Sequence, residues 1–133
     1  MSNINNNLDE YIDICIGSNG SHYDVSKVIY ELIKDKFIYC GKNNWQYKDN
    51  EEFIIDEKQF KLRQELKSNV INNFIMRSNY WDDKSMIRDD INITLNYKLK
   101  SSILLQIAHK LTDDKYINCI IKELKQFFSP FNN

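Results

Sequence analysis

A glycine turn, Gly17–Gly20, is the first feature of this sequence that could do chemistry, because it stands directly before an amphipathic helix. Such a turn holds a phosphate when its backbone amides are free and a lysine closes it. Here the nearest lysine, Lys27, falls inside the helix, and the three spaced glycines of a dinucleotide-binding turn are missing. Ser21 and Asp24 instead match a capping box. The stretch therefore predicts a helix stop and start, with no cofactor bound.

Two acidic pairs, Asp82–Asp83 and Asp89–Asp90, have the composition of a two-metal carboxylate site. Lys84 and Arg88 lie between them, in a stretch (residues 78–90) that breaks the helical periodicity. Solvated charge on a polar loop is therefore the preferred interpretation, and no metal is expected.

Histidine and cysteine are too few and too scattered for a zinc site. The two histidines, His22 and His109, are interpreted as packed or solvated side chains. The three cysteines, Cys15, Cys40 and Cys119, lie among apolar neighbours and are predicted to be buried free thiols in a reducing compartment. We expect no catalytic residue, although a small enzyme whose site forms only in space stays an open alternative.

The stretch "KNNWQYK" has the composition of a nucleic-acid contact, because lysines neutralise phosphates and exposed rings stack on bases. A following helix, "KQFKLRQELK", adds basic residues. The candidate nucleic-acid-binding residues are Lys42, Trp45, Tyr47, Lys48, Lys61, Arg63 and Lys67. The alternative is that an aromatic ring packs in the core and that the basic residues form an ordinary solvated face. Of the two rings, we expect Trp45 in the core and Tyr47 exposed.

The 133 residues are enough for one domain, and 42 % hydrophobic with 13 % aromatic residues supports a core. A net charge of −1 gives no bulk attraction to nucleic acid or membrane, so any such binding needs a local patch. The start of the chain does not resemble a signal peptide, and no apolar run approaches the roughly 20 residues that span a bilayer. We therefore expect an intracellular protein with no membrane partner.

Hydrophobic periodicity predicts a mainly α fold with a small antiparallel β-hairpin sheet (class α+β) in a single compact domain. Residues 1–20 are expected to be a partly flexible N-terminal segment, and residues 21–131 the domain, with the hairpin at about 37–55. Two or three short antiparallel strands are predicted, centred on Phe37–Cys40, Trp45–Tyr47 and Phe53–Ile55. Four principal helices are predicted, starting after Ser21, after Asp56 with Gln59 completing a capping box, near Leu95, and near Tyr116 before a stop at Ser129–Pro130.

Four stretches, "SHYDVSKVIYELIKDKFIY", "NNWQYKDNEEF", "LRQELKSNVINNF" and "CIIKELKQFF", follow one another in a familiar order. Together they resemble the domain that precedes the superfamily-3 helicase in the primase-helicases of poxviruses and other nucleo-cytoplasmic large DNA viruses. The resemblance covers about Ser21 to Phe128 and is carried by apolar motifs. The matching positions are His22, Tyr23, Phe37, Trp45, Leu62, Arg63, Lys122, Glu123, Phe127 and Phe128.

The sequence also departs from that family. Its hairpin has Phe53 alone where relatives usually carry a second tryptophan or an aromatic–glycine pair. It also has no Walker lysine, Walker carboxylates, arginine finger or primase acids. The resemblance therefore implies a stand-alone, non-catalytic relative that acts in DNA replication. Its expected partner is the replicative helicase or another viral replication protein, or single-stranded DNA bound weakly. The alternative is a virion or host-interaction protein that retains the fold without a replication role.

Overall fold

The computed structural model describes residues 3–86 and 89–128. Its elements in chain order are α1 (Asn3–Gly17), α2 (His22–Ile33), β1 (Phe37–Tyr39), β2 (Trp45–Asp49), β3 (Glu52–Ile55), α3 (Phe60–Glu65), a π-helical turn (Leu66–Val70), α4 (Ile71–Ser85), α5 (Ile91–Lys110) and α6 (Asp114–Phe128). The mainly α class with a small antiparallel sheet is confirmed. The predicted stop at Ser129–Pro130 lies outside the described residues.

The expected number of helices is wrong. Because α3, the π turn and α4 run on without a break, the described part of the chain has five helices rather than four. The additional one is α1, which packs on α2 and buries Ile12 and Cys15. Its asparagine-rich first turns have low helix propensity, so its helical character depends on this tertiary contact.

The loop predicted for residues 78–90 is also wrong over its first half, which continues helix α4 to Ser85. The buried positions there are Ser78 and Ser85 rather than apolar residues, so the hydrophobic periodicity disappears while the helix continues. The Ser78 hydroxyl lies 2.7 Å from that of Ser101 and donates to the Ser101 carbonyl at 2.9 Å. Small hydroxyl side chains thus join α4 to α5.

The predicted antiparallel sheet is confirmed, and of the two or three strands expected it has three, in the order β1-β2-β3. The register pairs Phe37 with Tyr47 and Tyr47 with Ile54. Asn50 and Glu51 close the second hairpin with φ of 53° and 71°, the left-handed conformation at both central positions that suits the twist of a two-residue hairpin.

Asp56 caps the following helix, as expected, but through a different geometry. Its two carboxylate oxygens accept from the Lys61 and Leu62 amides at 2.8 and 2.9 Å, because the chain first makes a left-handed turn at Lys58 and Gln59. The expected capping box with Gln59 is therefore wrong; its side-chain oxygen accepts from Arg63 at 3.4 Å.

The core lies between α1, α2, α5, α6, the inner face of α3–α4 and the sheet. Its largest fully buried side chains are Trp45, Phe74, Ile12, Ile29, Ile33, Leu62, Leu66, Leu104, Ile107, Leu111, Ile117 and Ile120. The apolar residues of α5 and of its C-cap do not all enter the core, because Leu104, Ile107 and Leu111 are buried whereas Leu95 and Leu99 are exposed. Among the described residues, no helix has the length and apolarity needed to cross a bilayer.

Candidate nucleic-acid interface

The glycine turn uses its backbone amides internally. The Asn19 and Gly20 amides donate to the Ile16 and Cys15 carbonyls at 3.1 and 2.9 Å, which is the hydrogen-bond pattern of a Schellman helix end. The Asp24 amide donates to Ser21 Oγ at 3.2 Å, so the cap at Ser21 is confirmed. These amides already have acceptors, so they do not form a cradle for phosphate.

The second half of the expected capping box is supplied by another residue. The Ser21 amide donates to Ser18 Oγ at 3.1 Å rather than to Asp24. The hydroxyls of Ser18 and Ser21, both in the α1–α2 junction, therefore accept from the backbone amides at the start of α2.

The acidic pair Asp82–Asp83 lies on helix α4, and Asp82 is 3.8 Å from the Lys98 ammonium. Within residues 3–86 and 89–128, no three histidine, cysteine or carboxylate side chains come close enough to hold a metal ion. The His22 ring packs edge-on against Tyr116 at a centroid distance of 5.4 Å. Asp82 and His22 therefore each contact another side chain of the fold.

The cysteines differ from one another. Cys15 is buried, and burial together with the nearby charge of Asp24 raises the pKa of its thiol to about 12. Cys40 and Cys119 are exposed, so the expectation of three buried thiols is wrong for these two. Cys40 follows the end of β1, and Cys119 lies on the solvent side of α6.

Trp45 belongs to the core, as expected of this ring. Its side chain is 0 % exposed and its indole contacts Tyr39 and Phe128 at centroid distances of 4.9 and 5.2 Å. Its Nε1–H finds no acceptor in the described part of the chain. A base cannot stack on a ring in this position, so Trp45 is removed from the candidate interface.

Tyr47, Lys48 and Lys61 come together around a depression of about 480 Å³ between β2 and α3. We call it the Tyr47 groove, and Lys36 completes its basic side chains. The Lys61 ammonium lies 5.4 Å from the centre of the half-buried Tyr47 ring. The Lys48 amide donates to the Lys36 carbonyl at 2.8 Å, which fixes the side of the groove opposite α3.

Carboxylates moderate the charge of the Tyr47 groove. Glu65 Oε2 lies 2.7 Å from the Lys36 ammonium, and Glu51 lies 3.7 Å from that of Lys48. The Lys61 ammonium forms no ion pair with the described residues and is therefore the cation most available to an incoming anion. Lys36 was not singled out from the sequence, although the hairpin register that pairs Phe37 with Tyr47 would have placed it beside Lys48.

The other predicted residues lie elsewhere. Arg63 donates to Asn118 Oδ1 at 2.7 Å and Lys67 lies 3.2 Å from Asp114, so both face α6. Lys42 is exposed in the turn between β1 and β2, where its φ is 54°. The structure thus brings three of the seven candidates together and separates the remaining four.

Comparisons of the chain with protein-family models, with curated protein sequences and with solved structures find no match.

Proposed function

We propose that this chain is a non-catalytic DNA-replication accessory that binds single-stranded DNA weakly through the Tyr47 groove. The observation that carries the proposal is the position of Lys61 above the Tyr47 ring, with Lys36 and Lys48 lining the same depression. Ring and cations are the two components of sequence-independent recognition of single strands.

The energetics favour exchange of the internal contact for a base. A lysine–aromatic contact at an exposed site is worth about 0.5–1 kcal/mol, whereas stacking of a base on an aromatic ring is worth about 1–3 kcal/mol. A base can therefore take the place of Lys61 above Tyr47, and the released ammonium can pair with a neighbouring phosphate.

Charge in the Tyr47 groove limits the affinity. Lys36, Lys48 and Lys61 face Asp49 and Glu65 within the same lining. Few phosphates can be neutralised in such a site, so binding is weak and its salt dependence is shallow, with a logarithmic slope of roughly −0.7 for each phosphate neutralised.

The assignment to replication depends on the resemblance to the domain that precedes the viral superfamily-3 helicase. The helix, hairpin and helix order from Ser21 onward supports it, as does the packing of the hairpin tryptophan against Phe128 of the last helix. A protein that binds exposed single strands would act beside a replicative helicase, which is the partner that we propose.

The proposal is tested by titrating a fluorescent oligothymidylate with the purified chain at low salt. We expect K48E combined with K61E to weaken binding at least tenfold, because both exposed cations line the Tyr47 groove. The matched control is K42E combined with K115E, which changes the net charge equally at exposed positions outside the groove.

Tyr47→Ala and Tyr47→Phe separate stacking from charge. Tyr47→Ala should lose roughly 1–3 kcal/mol of binding and Tyr47→Phe should retain most of it, because both rings stack.

Equal losses in the groove pair and the control pair would contradict the Tyr47 groove as the site. If the wild-type chain does not bind at low salt, DNA is excluded. Recovery of the helicase from native cells would then favour a protein partner, and recovery of capsid proteins alone would favour the virion role.

A further inference from the structure

Helix α5 is apolar on two opposite sides. Its inner side contributes Leu104 and Ile107 to the core, whereas Ile91, Leu95 and Leu99 are 67 %, 57 % and 58 % exposed. These three residues are spaced by four and form one continuous outer stripe over about two turns. An apolar side of a helix is ordinarily buried against another element. The outer side of α5 therefore has the composition of an interface.

The same outer side has a receiving surface at its C-terminal half. A shallow depression of about 480 Å³ there is lined by Ser102, Leu105, Gln106, His109 and Lys110. Ser102 follows Leu99 by three residues, so the depression continues the line of the stripe. One end of α5 thus presents projecting apolar side chains, and the other end presents a depression.

We propose that a second copy of this chain packs its α5 antiparallel against this face, so that Ile91 and Leu95 of each copy enter the depression of the other. Leu95 and Leu105 are equally far from Lys100 along the helix, and so are Ile91 and His109. A single two-fold axis passing α5 near Lys100 therefore brings both apolar residues onto the depression in each direction. Such an interface is self-complementary and closed.

The charges at the two ends of α5 also favour an antiparallel copy. Asp89 and Asp90 precede its first turn, while His109 and Lys110 occupy its last turn. Antiparallel packing places Asp89 and Asp90 beside Lys110 of the other copy and opposes the helix dipoles, whereas parallel packing places like charges together. The small side chain of Ser102 opposite Leu99 lets the two helices approach closely.

A pair of single helices is a smaller contact than an obligate dimer interface, so the association is reversible and depends on concentration. It shares no lining residue with the Tyr47 groove. Dimerisation and DNA binding can therefore be tested independently of one another.

The first test is sedimentation equilibrium over a range of concentrations. The wild-type chain should rise from 16.0 kDa toward twice that mass. L95D combined with L99D should raise the dissociation constant at least tenfold and leave the circular dichroism spectrum unchanged, because both residues are exposed. The matched control, I14D combined with I55D, alters two equally exposed apolar residues outside α5 and should dimerise as the wild type does.

The second test is the orientation of the pair. In a background with Cys40→Ser and Cys119→Ser, Leu95→Cys combined with Leu105→Cys should give a disulfide-linked dimer under copper–phenanthroline oxidation. Within one chain these positions are about 15 Å apart along the helix, too far to pair with each other. Leu95→Cys alone should give no cross-link. A wild-type chain that stays monomeric, or a cross-link through Leu95→Cys alone, would overturn the proposal.

Discussion

Gly20 is constrained both by a positive φ and by its close approach to the core, whereas Gly41 has only the positive φ. The φ of Gly20 is +79°, and a Cβ atom built there would lie 2.8 Å from Ile107 Cγ1. Gly41 has a φ of +86°, but its Cβ would meet nothing within 4 Å in the described part of the chain.

Gly20→Ala should therefore lower the free energy of unfolding more than Gly41→Ala. The Gly41 variant pays only the left-handed backbone penalty of about 1–2 kcal/mol, while the Gly20 variant must also displace Ile107 from a filled core. Urea denaturation of both variants measures the difference. Equal losses would show that Ile107 moves aside at no cost.

The Cys15 thiol should be far less reactive than the two exposed thiols. Its pKa of about 12 leaves almost no thiolate at pH 8, and the thiolate is the reacting form. We expect a thiol reagent to modify Cys40 and Cys119 within minutes and Cys15 only when the chain unfolds. A variant with Cys40→Ser and Cys119→Ser is the control and should remain unmodified.

The same shift in pKa has a consequence for stability at high pH. The folded pKa of Cys15 lies above its ordinary value of 9.0, because the buried thiol favours its protonated form. The stabilisation of the folded state by this group is therefore complete below pH 9 and is lost as the pH rises toward 12. An increase in stability across that range would contradict the burial of the thiol.

At the scale of elements, Trp45 joins the sheet to α6. We expect Trp45→Ala to lose about 3–5 kcal/mol of unfolding free energy, because a fully buried ring is removed from contact with Tyr39 and Phe128. Trp45→Phe should lose less, since it keeps a ring and removes an indole N–H that has no acceptor among the described residues. Thermal melts compare the two variants, and a Trp45→Ala chain with an unchanged melting temperature would place the ring outside the core.

Elements with a regular apolar period could be predicted from the sequence, as the three strands and α6 show. Helix α1 and the end of α4 could not, because asparagines fill the first turns of α1 and serines fill the contact positions of α4.

For the candidate site, Tyr47, Lys48 and Lys61 were predicted to act together, and the structure places them together. Arg63 was grouped with them from sequence proximity, but two residues turn a helix by about 200° and direct it toward α6.

At the scale of the whole molecule, Asp13 fastens α1 to α4. It accepts from Arg77 at 3.0 and 2.6 Å and from the Trp81 indole at 3.0 Å. The hydrogen bond and charge of Asp13 raise the pKa of Arg77, so the guanidinium stays charged at every accessible pH.

Asp13→Ala should therefore cost about 1–3 kcal/mol of unfolding free energy, because it leaves both donors without their acceptor. Asp9→Ala is the matched control; Asp9 lies 3.6 Å from Arg77 and is more exposed, so its loss should cost under about 1 kcal/mol. Urea midpoints give both values. Equal effects would mean that α1 is held by its apolar contacts alone.

The π turn between α3 and α4 has a consequence for how the length of this chain can vary. A π turn holds one residue more than the α-helical path that it replaces. Leu66 and Val70 are buried at its two ends, while Lys67 and Ser68 between them are exposed. Deletion of Ser68 would convert the bulge to regular helix and keep Phe74 on its inner side. A deletion one turn later, at Asn72, would rotate the rest of α4 by about 100° and carry Ser78 away from Ser101. The long helix can therefore lose a residue at its π turn, whereas a loss farther along α4 would misalign its contact with α5.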